Sequence, residues 1–239
     1  MNGQDLLLLL RELDSPDQDR AWEAADQLWG LDTPEYIPFL CLVIEHSRWD
    51  YVVDRAASRL ARLDGPPILV LLAAVTRLWK AYARRNDIDS LLKNTGYAIA
   101  DSEEVGERIV LEQLNSADVT HREVATLFLP FISEETAVEK LLELLRGNDD
   151  SGVRTMAVSS LGQLVGARID NETAFDALLE ASNDPEPKVR SAAILDLSLT
   201  CHSKAKEVLQ RARNDESELV RHAVTEGIKQ WKGNGCGEI

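Results

Sequence analysis

The sequence predicts an all-α fold, a right-handed α-α superhelix of about seven helical hairpins. Three observations predict it. Four segments of the second half share one pattern: residues 118–132 (DVTHREVATLFLPFI), 150–165 (DSGVRTMAVSSLGQLV), 184–200 (DPEPKVRSAAILDLSLT) and 215–231 (DESELVRHAVTEGIKQW). Each opens on Asp, continues through a short polar stretch to an Arg, and then carries small and aliphatic residues at helical spacing. The arginines, Arg122, Arg154, Arg190 and Arg221, are separated by 32, 36 and 31 residues. A period in the thirties carried by helical patterning marks stacked helix pairs. Finally, nowhere do β-branched and polar residues alternate over a stretch long enough to make a strand.

The elements follow in chain order. Residues 6–13 and 21–31 make a first helix pair, broken by Ser15, Pro16 and Asp17. Residues 36–45 and 51–63 make a second. Pro66 and Pro67 open a long apolar helix over 68–85, and residues 87–100 complete the third pair, with Gly96 weakening its last turn by roughly 1 kcal/mol relative to Ala. In the second half, residues 136–145, 174–181 and 205–212 supply the first helix of each pair. Val138, Leu141, Leu142 and Leu145 stand at the spacing of one helix face. The turns carry Asn148-Asp149, Asn183-Asp184 and Asn214-Asp215, whose side chains accept bonds from free helix amides and so start the second helix. Pro185 suits a first helical position, and Asp215 with Glu218 has the spacing of a capping box.

The Asp…Val-Arg…Ala-Ala…Leu pattern resembles HEAT repeats, in particular the short HEAT-like repeats of phycobilisome lyases. Val153-Arg154…Ala157…Leu161-Gly162, Val189-Arg190…Ala192-Ala193…Leu197 and Val220-Arg221…Ala223 carry it. Arg122 has His121 in the Val position. Ala21…Ala24-Ala25…Leu28 and Val52-Val53…Ala56-Ala57…Leu60 keep the small residues without the Arg. The resemblance implies a single HEAT-like solenoid over 1–232, divergent over 1–100 and regular over 101–232, while the Gly-rich residues that follow the last helix are expected to make 233–239 a flexible tail. Ala157, Ala193 and Ala223 then let neighbouring second helices approach closely. The repeat arginines Arg122, Arg154, Arg190 and Arg221 are expected to be structural, reaching turn aspartates of adjacent repeats as a ladder.

Composition bounds the function. The 239 residues are 44% apolar and 28% charged, with 41 acids against 26 bases and a net charge of −15. A surface that neutralises phosphates with Lys and Arg is not what this balance describes, which argues against nucleic acid. The longest purely apolar run, 68–75, is far short of the roughly 18 residues of a membrane helix. The first residues, Met-Asn-Gly-Gln-Asp, lack the basic start of a signal peptide. Cys41, Cys201 and Cys236 are widely spaced, odd in number and form no CxxC. Neither a disulfide framework nor a thiolate zinc site is expected, and the cytoplasm is the expected location.

No catalytic constellation stands out. His46, His121, His202 and His222 form no HExxH and no pair at metal-ligand spacing. Two enzyme types within the resembled family serve as checks: one binds two irons through His-Glu dipeptides, which this chain lacks, and one works on DNA through a basic face, which the net charge opposes. Acidic ridges at Glu135, Glu139 and Glu143 and at Glu103, Glu104 and Glu107 read as solvated helix faces. No catalytic residue, cofactor or metal is expected.

Charge and aromatic placement point to an interaction surface instead. The net charge is −7 over 1–65, +3 over 66–100, −9 over 101–150 and −2 over 151–239. Arg77, Lys80 and Arg84 share a face of the long helix, while Arg55, Arg59 and Arg62 form a second basic stripe. The resemblance to HEAT-like solenoids implies that second helices line the concave face, which would point this stripe into the groove. Four of the five tryptophans, Trp22, Trp29, Trp49 and Trp79, lie in the first third. Trp29 and Trp79 are expected to fill core. Trp22, Trp49, Arg55, Arg59 and Arg62 are the expected partner contacts, since Trp and Arg are common interface anchors. The reading is a non-catalytic, cytoplasmic scaffold or adaptor that docks a basic protein partner in its groove. One alternative is an inhibitor or immunity-type protein masking a toxin or nucleic-acid enzyme. Another, implied by the resemblance, is a bilin lyase or chromophore-handling chaperone whose propionate contacts would be Arg55, Arg59 and Arg62.

Overall fold

A computed structural model describes residues 1, 3–63, 65–82, 89–147, 150–167 and 172–237. Among the described residues there are fourteen α-helices, short 3-10 turns and no strand. The chain divides into two compact units, Met1–Gln113 and Leu114–Ile239. Arg84 and the Asn148-Asp149 pair lie outside the described residues.

The first unit holds α1 (Gly3–Leu13), α2 (Gln18–Asp26), α3 (Ile37–His46), α4 (Asp50–Leu60), α5 (Ile68–Tyr82), α6 (Asp89–Asp101) and α7 (Glu103–Gln113). Helices α1, α3 and α5 each pack on the even helix that follows, and α7 packs on α6. The even helices α2, α4 and α6 also pack side by side, as do α1, α3, α5 and α7. This is a two-layer stack of hairpins. Small residues allow the close approach within the even layer: Ala21, Ala24 and Ala25 on α2 and Ala56 and Ala57 on α4 are all buried. A single hairpin could not cover these faces, so stacking builds the core.

The second unit holds α8 (Val119–Phe128), α9 (Glu134–Arg146), α10 (Ser151–Ala167), α11 (Glu172–Ala181), α12 (Pro187–Ser198), α13 (Ser203–Ala212) and α14 (Glu218–Gly233). Here α8, α10, α12 and α14 form one layer and α9, α11 and α13 the other. Ala157, Ala193 and Ala223 are buried where the former meet. The Ser160 hydroxyl on α10 donates to the Thr126 carbonyl on α8 at 2.9 Å, a bond only such a close approach permits.

Aspartates start the second helices as their positions suggest, with a shift in register. Asp17 and Asp118 cap α2 and α8 directly. Asp184 and Asp215 accept from the amides of the cap residues Glu186 and Ser217, both at 2.8 Å, closing a turn that leads into the helix. Pro187, not Pro185, therefore holds the first position of α12. Asp215 and Glu218 do not form a capping box, because Ser217 is the cap residue and α14 begins at Glu218. The Asp carboxylate satisfies the turn and leaves its second oxygen for another donor.

The expectation of unpaired cysteines is corrected. Cys201 and Cys236 form a disulfide, with Cα atoms 5.0 Å apart, while Cys41 is free. Spacing could not reveal the pair, because the two cysteines are 35 positions apart and the chain between them forms a hairpin that returns to its start. The end of α14 helps: Gly235, at φ +74°, turns the backbone so that the Cys236 amide reaches the Trp231 carbonyl at 3.1 Å. The cytoplasmic expectation loses the premise on which it rested, since disulfides persist in oxidising surroundings. Among the described residues, no helix is long and apolar enough to cross a membrane.

Candidate functional site: an aromatic and acidic face on the first unit

The face is built on α2 and α4. Trp49 stands at the cap position of α4, and its indole N–H donates to the Ser15 carbonyl at 3.0 Å. Two residues on, the Tyr51 hydroxyl donates to the Gln18 carbonyl at 3.0 Å. Both bonds tie the start of α4 to the turn before α2 or its first residue. They also fix the two rings, whose centroids lie 6.0 Å apart. Trp22, one turn into α2, stacks on Tyr51 at 5.1 Å with the rings tilted by 43°. Trp22 remains 50% exposed, although a Trp is ordinarily among the better-buried side chains.

Carboxylates surround this aromatic step. Asp19, Trp22, Glu23 and Asp26 follow the i, i+3, i+4, i+7 spacing of one helix face, and all four are exposed. Burial, with Asp19 and then Asp17 adding their negative charge, raises the Tyr51 phenol above its usual pKa. The phenol is therefore a hydrogen-bond donor throughout the neutral range.

The arginine stripe is engaged within the fold. The Arg55 guanidinium lies 6.0 Å from the Trp22 ring centre and 5.8 Å from that of Trp29, and 3.6 Å from the Asp26 carboxylate. Arg62 sits over Trp29 at 5.0 Å. Arg59 Nε donates to the Leu31 carbonyl at 2.8 Å, joining α4 to the turn that ends the first hairpin. Each guanidinium is drawn to a π face or a carbonyl of the preceding hairpin. Arg77, from the basic island, bonds Asp50 at 2.8 Å and the Ser47 carbonyl at 2.9 Å.

The structure thus brings Trp22, Trp49 and Arg55 together through Tyr51, a residue the sequence pattern did not single out. Its signal was available, since Tyr51 lies four residues before Arg55 and so on the same face of α4. Arg59 lies further along the helix, and Arg62 lies in the turn that follows it. Trp29, Trp49 and Trp79 are half-buried. Trp49 uses its polar atom in the fold, so Trp22 is the tryptophan that offers its ring to solvent.

The second unit carries the arginine ladder. Arg154 grips Asp184 through two bonds, Nε–Oδ2 at 3.0 Å and Nη2–Oδ1 at 3.1 Å. Arg190 repeats this with Asp215, at 3.0 and 2.9 Å, and its Nη1 donates to the Asp184 carbonyl at 2.8 Å. Arg122 and Arg221 bond the carbonyls that precede their own helices, Ser116 at 2.9 Å and Asp215 and Glu216 at 2.8 Å. The Arg190 hydrogen bonds hold the Asp215 carboxyl below the usual carboxylate range.

Helix pairs, Asp-started second helices and a cross-repeat arginine are features of one repeat type. The sequence model of HEAT repeats matches residues 108–180 and 163–229, which together span just over half of the 239 residues. The chain belongs to the HEAT-repeat family.

No curated protein matches this HEAT-repeat sequence. Solved structures do. The complex of CpcE and CpcF of phycocyanin lyase from Nostoc is similar over 65% of this chain and 98% of that one, at 21% identity and a TM-score of 0.47. Human deoxyhypusine hydroxylase is similar over 98% of this chain and 86% of its own, at 17% identity and a TM-score of 0.44. The Pds5–Scc1 complex is similar over 99% of this chain, at 12% identity and a TM-score of 0.49, and there the match spans 50% of the other chain.

Proposed function

We propose that this HEAT-repeat protein is a non-catalytic scaffold that binds a protein partner, and that the α2–α4 face of the first unit takes a basic segment of it. The observation that carries the reading is Trp22. A half-exposed indole stacked on Tyr51 loses little by staying in place and gains by being covered. Asp19, Glu23 and Asp26 beside it set the sign of the partner, since an aromatic face with carboxylates at its rim suits Lys or Arg side chains. The net charge of −7 over residues 1–65 adds long-range attraction for a basic surface. Arg55, Arg59 and Arg62 act in this reading as braces that hold the aromatic rings and the hairpin in register.

The test is purification of the tagged protein from its native host at low salt, beside Trp22→Ala and Glu23→Arg variants. A stoichiometric basic protein that accompanies the wild type and is lost from both variants and at high salt is the expected result. If that protein is a toxin or a nucleic-acid enzyme, the scaffold is an inhibitor. A coloured preparation with no protein partner would overturn the reading in favour of a chromophore-handling role.

A further inference from the structure

The second unit contains a cavity of about 460 Å³ at the ends of α10 and α12, lined also by the start of α11 and the turn before α13. Asp196 of α12 lies in its wall, against Gly162 of α10. A Cβ at position 162 would collide with the Asp196 carboxyl carbon, so the glycine is what admits the acid. The repeat gives no structural reason for an acid there. Phe128, Ser160, Asp196 and Gly227 hold the sixth position after the four repeat arginines, and only at 196 does that position carry an ionisable group. Ser160 uses its hydroxyl to bond the neighbouring helix. Asp196 instead lies where burial pushes its carboxyl up to about 7, an arrangement that costs stability whenever it is ionised. Groups placed against local rules mark functional positions.

The remaining walls complete a recognisable chemistry. Phe175 and His202 stack at 4.5 Å, and His202 is pinned because its Nδ1 accepts the Lys204 amide at 3.1 Å. The turn carrying it is fixed by Cys201, which adopts the left-handed φ of +52° and is bonded to Cys236. Leu199, 53% exposed, adds an aliphatic surface. Glu172 adds a second carboxylate from α11; Glu172 and His202 are the other titratable groups among the described lining residues, and α10 contributes only Gly162, Val165 and Gly166.

We infer that this cavity binds an alkylammonium group, with the Asp196 carboxylate as its counter-ion, the Phe175 ring as its π face and Leu199 against its aliphatic stem. A carboxylate in a partly desolvated wall gains most from a cation that replaces lost water, and an ammonium over an aromatic face adds a cation–π contact. The aromatic pair and the disulfide-held turn are already ordered, so little is lost in fixing them on binding. The site is independent of the α2–α4 face, and either reading can fail without the other.

The test is an NMR titration of the full-length oxidised protein with butylammonium at a pH of about 8, where Asp196 is ionised. Butanol and butyrate serve as neutral and anionic controls. Saturable shifts at Phe175, His202 and the Asp196 carboxyl carbon, absent with both controls, are expected. Asp196→Asn keeps the side-chain shape and should weaken binding at least about tenfold, the loss of one charge-assisted hydrogen bond. Trp22→Ala should leave it unchanged. Shifts that fail to saturate, that butanol reproduces, or that survive in Asp196→Asn would overturn the inference. A lysine-containing peptide distinguishes the source: if it competes with butylammonium the site receives a lysine side chain, and if it does not the site receives a free amine.

Discussion

Arg190 and Asp215 meet across two consecutive hairpins in a two-point ion pair, Nε to Oδ2 at 3.0 Å and Nη2 to Oδ1 at 2.9 Å, with the arginine side chain only 9% exposed. The same Asp215 oxygen that caps the turn onto Ser217 accepts from Nη2. One carboxylate therefore starts its own helix and anchors the helix before it. Arg154 and Asp184 repeat the relation one hairpin earlier.

Removing one partner of this pair leaves the other buried and uncompensated. Arg190→Ala should destabilise the protein by about 3 kcal/mol, measured by urea unfolding followed by circular dichroism. Arg190→Lys keeps the charge but loses the planar two-point grip and should recover only part of that. The acid limb adds a second readout. Asp215 is held below the ordinary value of 3.8, so its contribution is present above that value and is lost as pH falls through the depressed folded value. In Arg190→Ala the folded value returns toward 3.8, so this acid-limb loss of stability should be smaller than in the wild type.

Trp22→Ala and Arg59→Ala should separate binding from folding. Trp22 is half-exposed, so its removal should change unfolding little while weakening partner capture by about 2 kcal/mol, as for a central interface anchor. Arg59 bonds the Leu31 carbonyl from within the fold. Its removal should lower stability by about 1–2 kcal/mol and leave the affinity of the remaining folded protein near that of the wild type. Calorimetric titration with the purified partner and thermal unfolding of each variant provide the two measurements.

Asp196→Asn should stabilise the protein at neutral pH. The carboxyl is raised from 3.8 to about 7 by burial, so its favourable contribution is complete below 3.8 and is lost as pH rises to about 7. Above that, the wild type holds an ionised, partly buried acid that the amide replaces without charge. The variant should exceed the wild type by about 2 kcal/mol at a pH of about 8, a figure discounted for partial exposure, and match it at about pH 4. Urea unfolding across this range tests the sign. A group that stabilises when removed, yet is needed for binding, is the pattern of a functional position.

Reduction of the Cys201–Cys236 bond should loosen the last hairpin. The bond closes a loop of 35 residues, for which chain entropy suggests about 2–4 kcal/mol. Cys236→Ser should lower the thermal midpoint, and the same treatment should raise amide exchange in α13 and α14 more than in α8. Equal exchange in oxidised and reduced protein would show that the bond contributes nothing to the hairpin.

The secondary structure and the repeat type were legible because they are written in short-range terms. The spacing of Val138, Leu141, Leu142 and Leu145 specifies a helix face without reference to anything distant. Asp118 lies two residues before the amide it caps, so its role is readable from position. The structural part for Arg154 and Arg190 was legible too, since a buried guanidinium seeks a carboxylate and the repeat supplies one in each turn. Positions such as Pro185 misled because two prolines stand in one turn, and only the backbone chose Pro187.

What the tertiary structure alone decided is which distant side chains meet and which stay uncovered. Trp22 and Trp49 look alike in sequence, each near the start of a second helix. The Ser15 carbonyl lies within reach of Trp49 and makes it part of the fold, while Trp22 is left facing water. Cys201 and Cys236 are separated by a whole hairpin, and nothing local marks them as neighbours. Asp196 reads as one more surface acid until Gly162 is placed against it. Periodicity and capping depend on residues three or four apart, so the sequence determines them. Burial and pairing depend on how one hairpin seats on the next, and that distance exists only once the chain has folded.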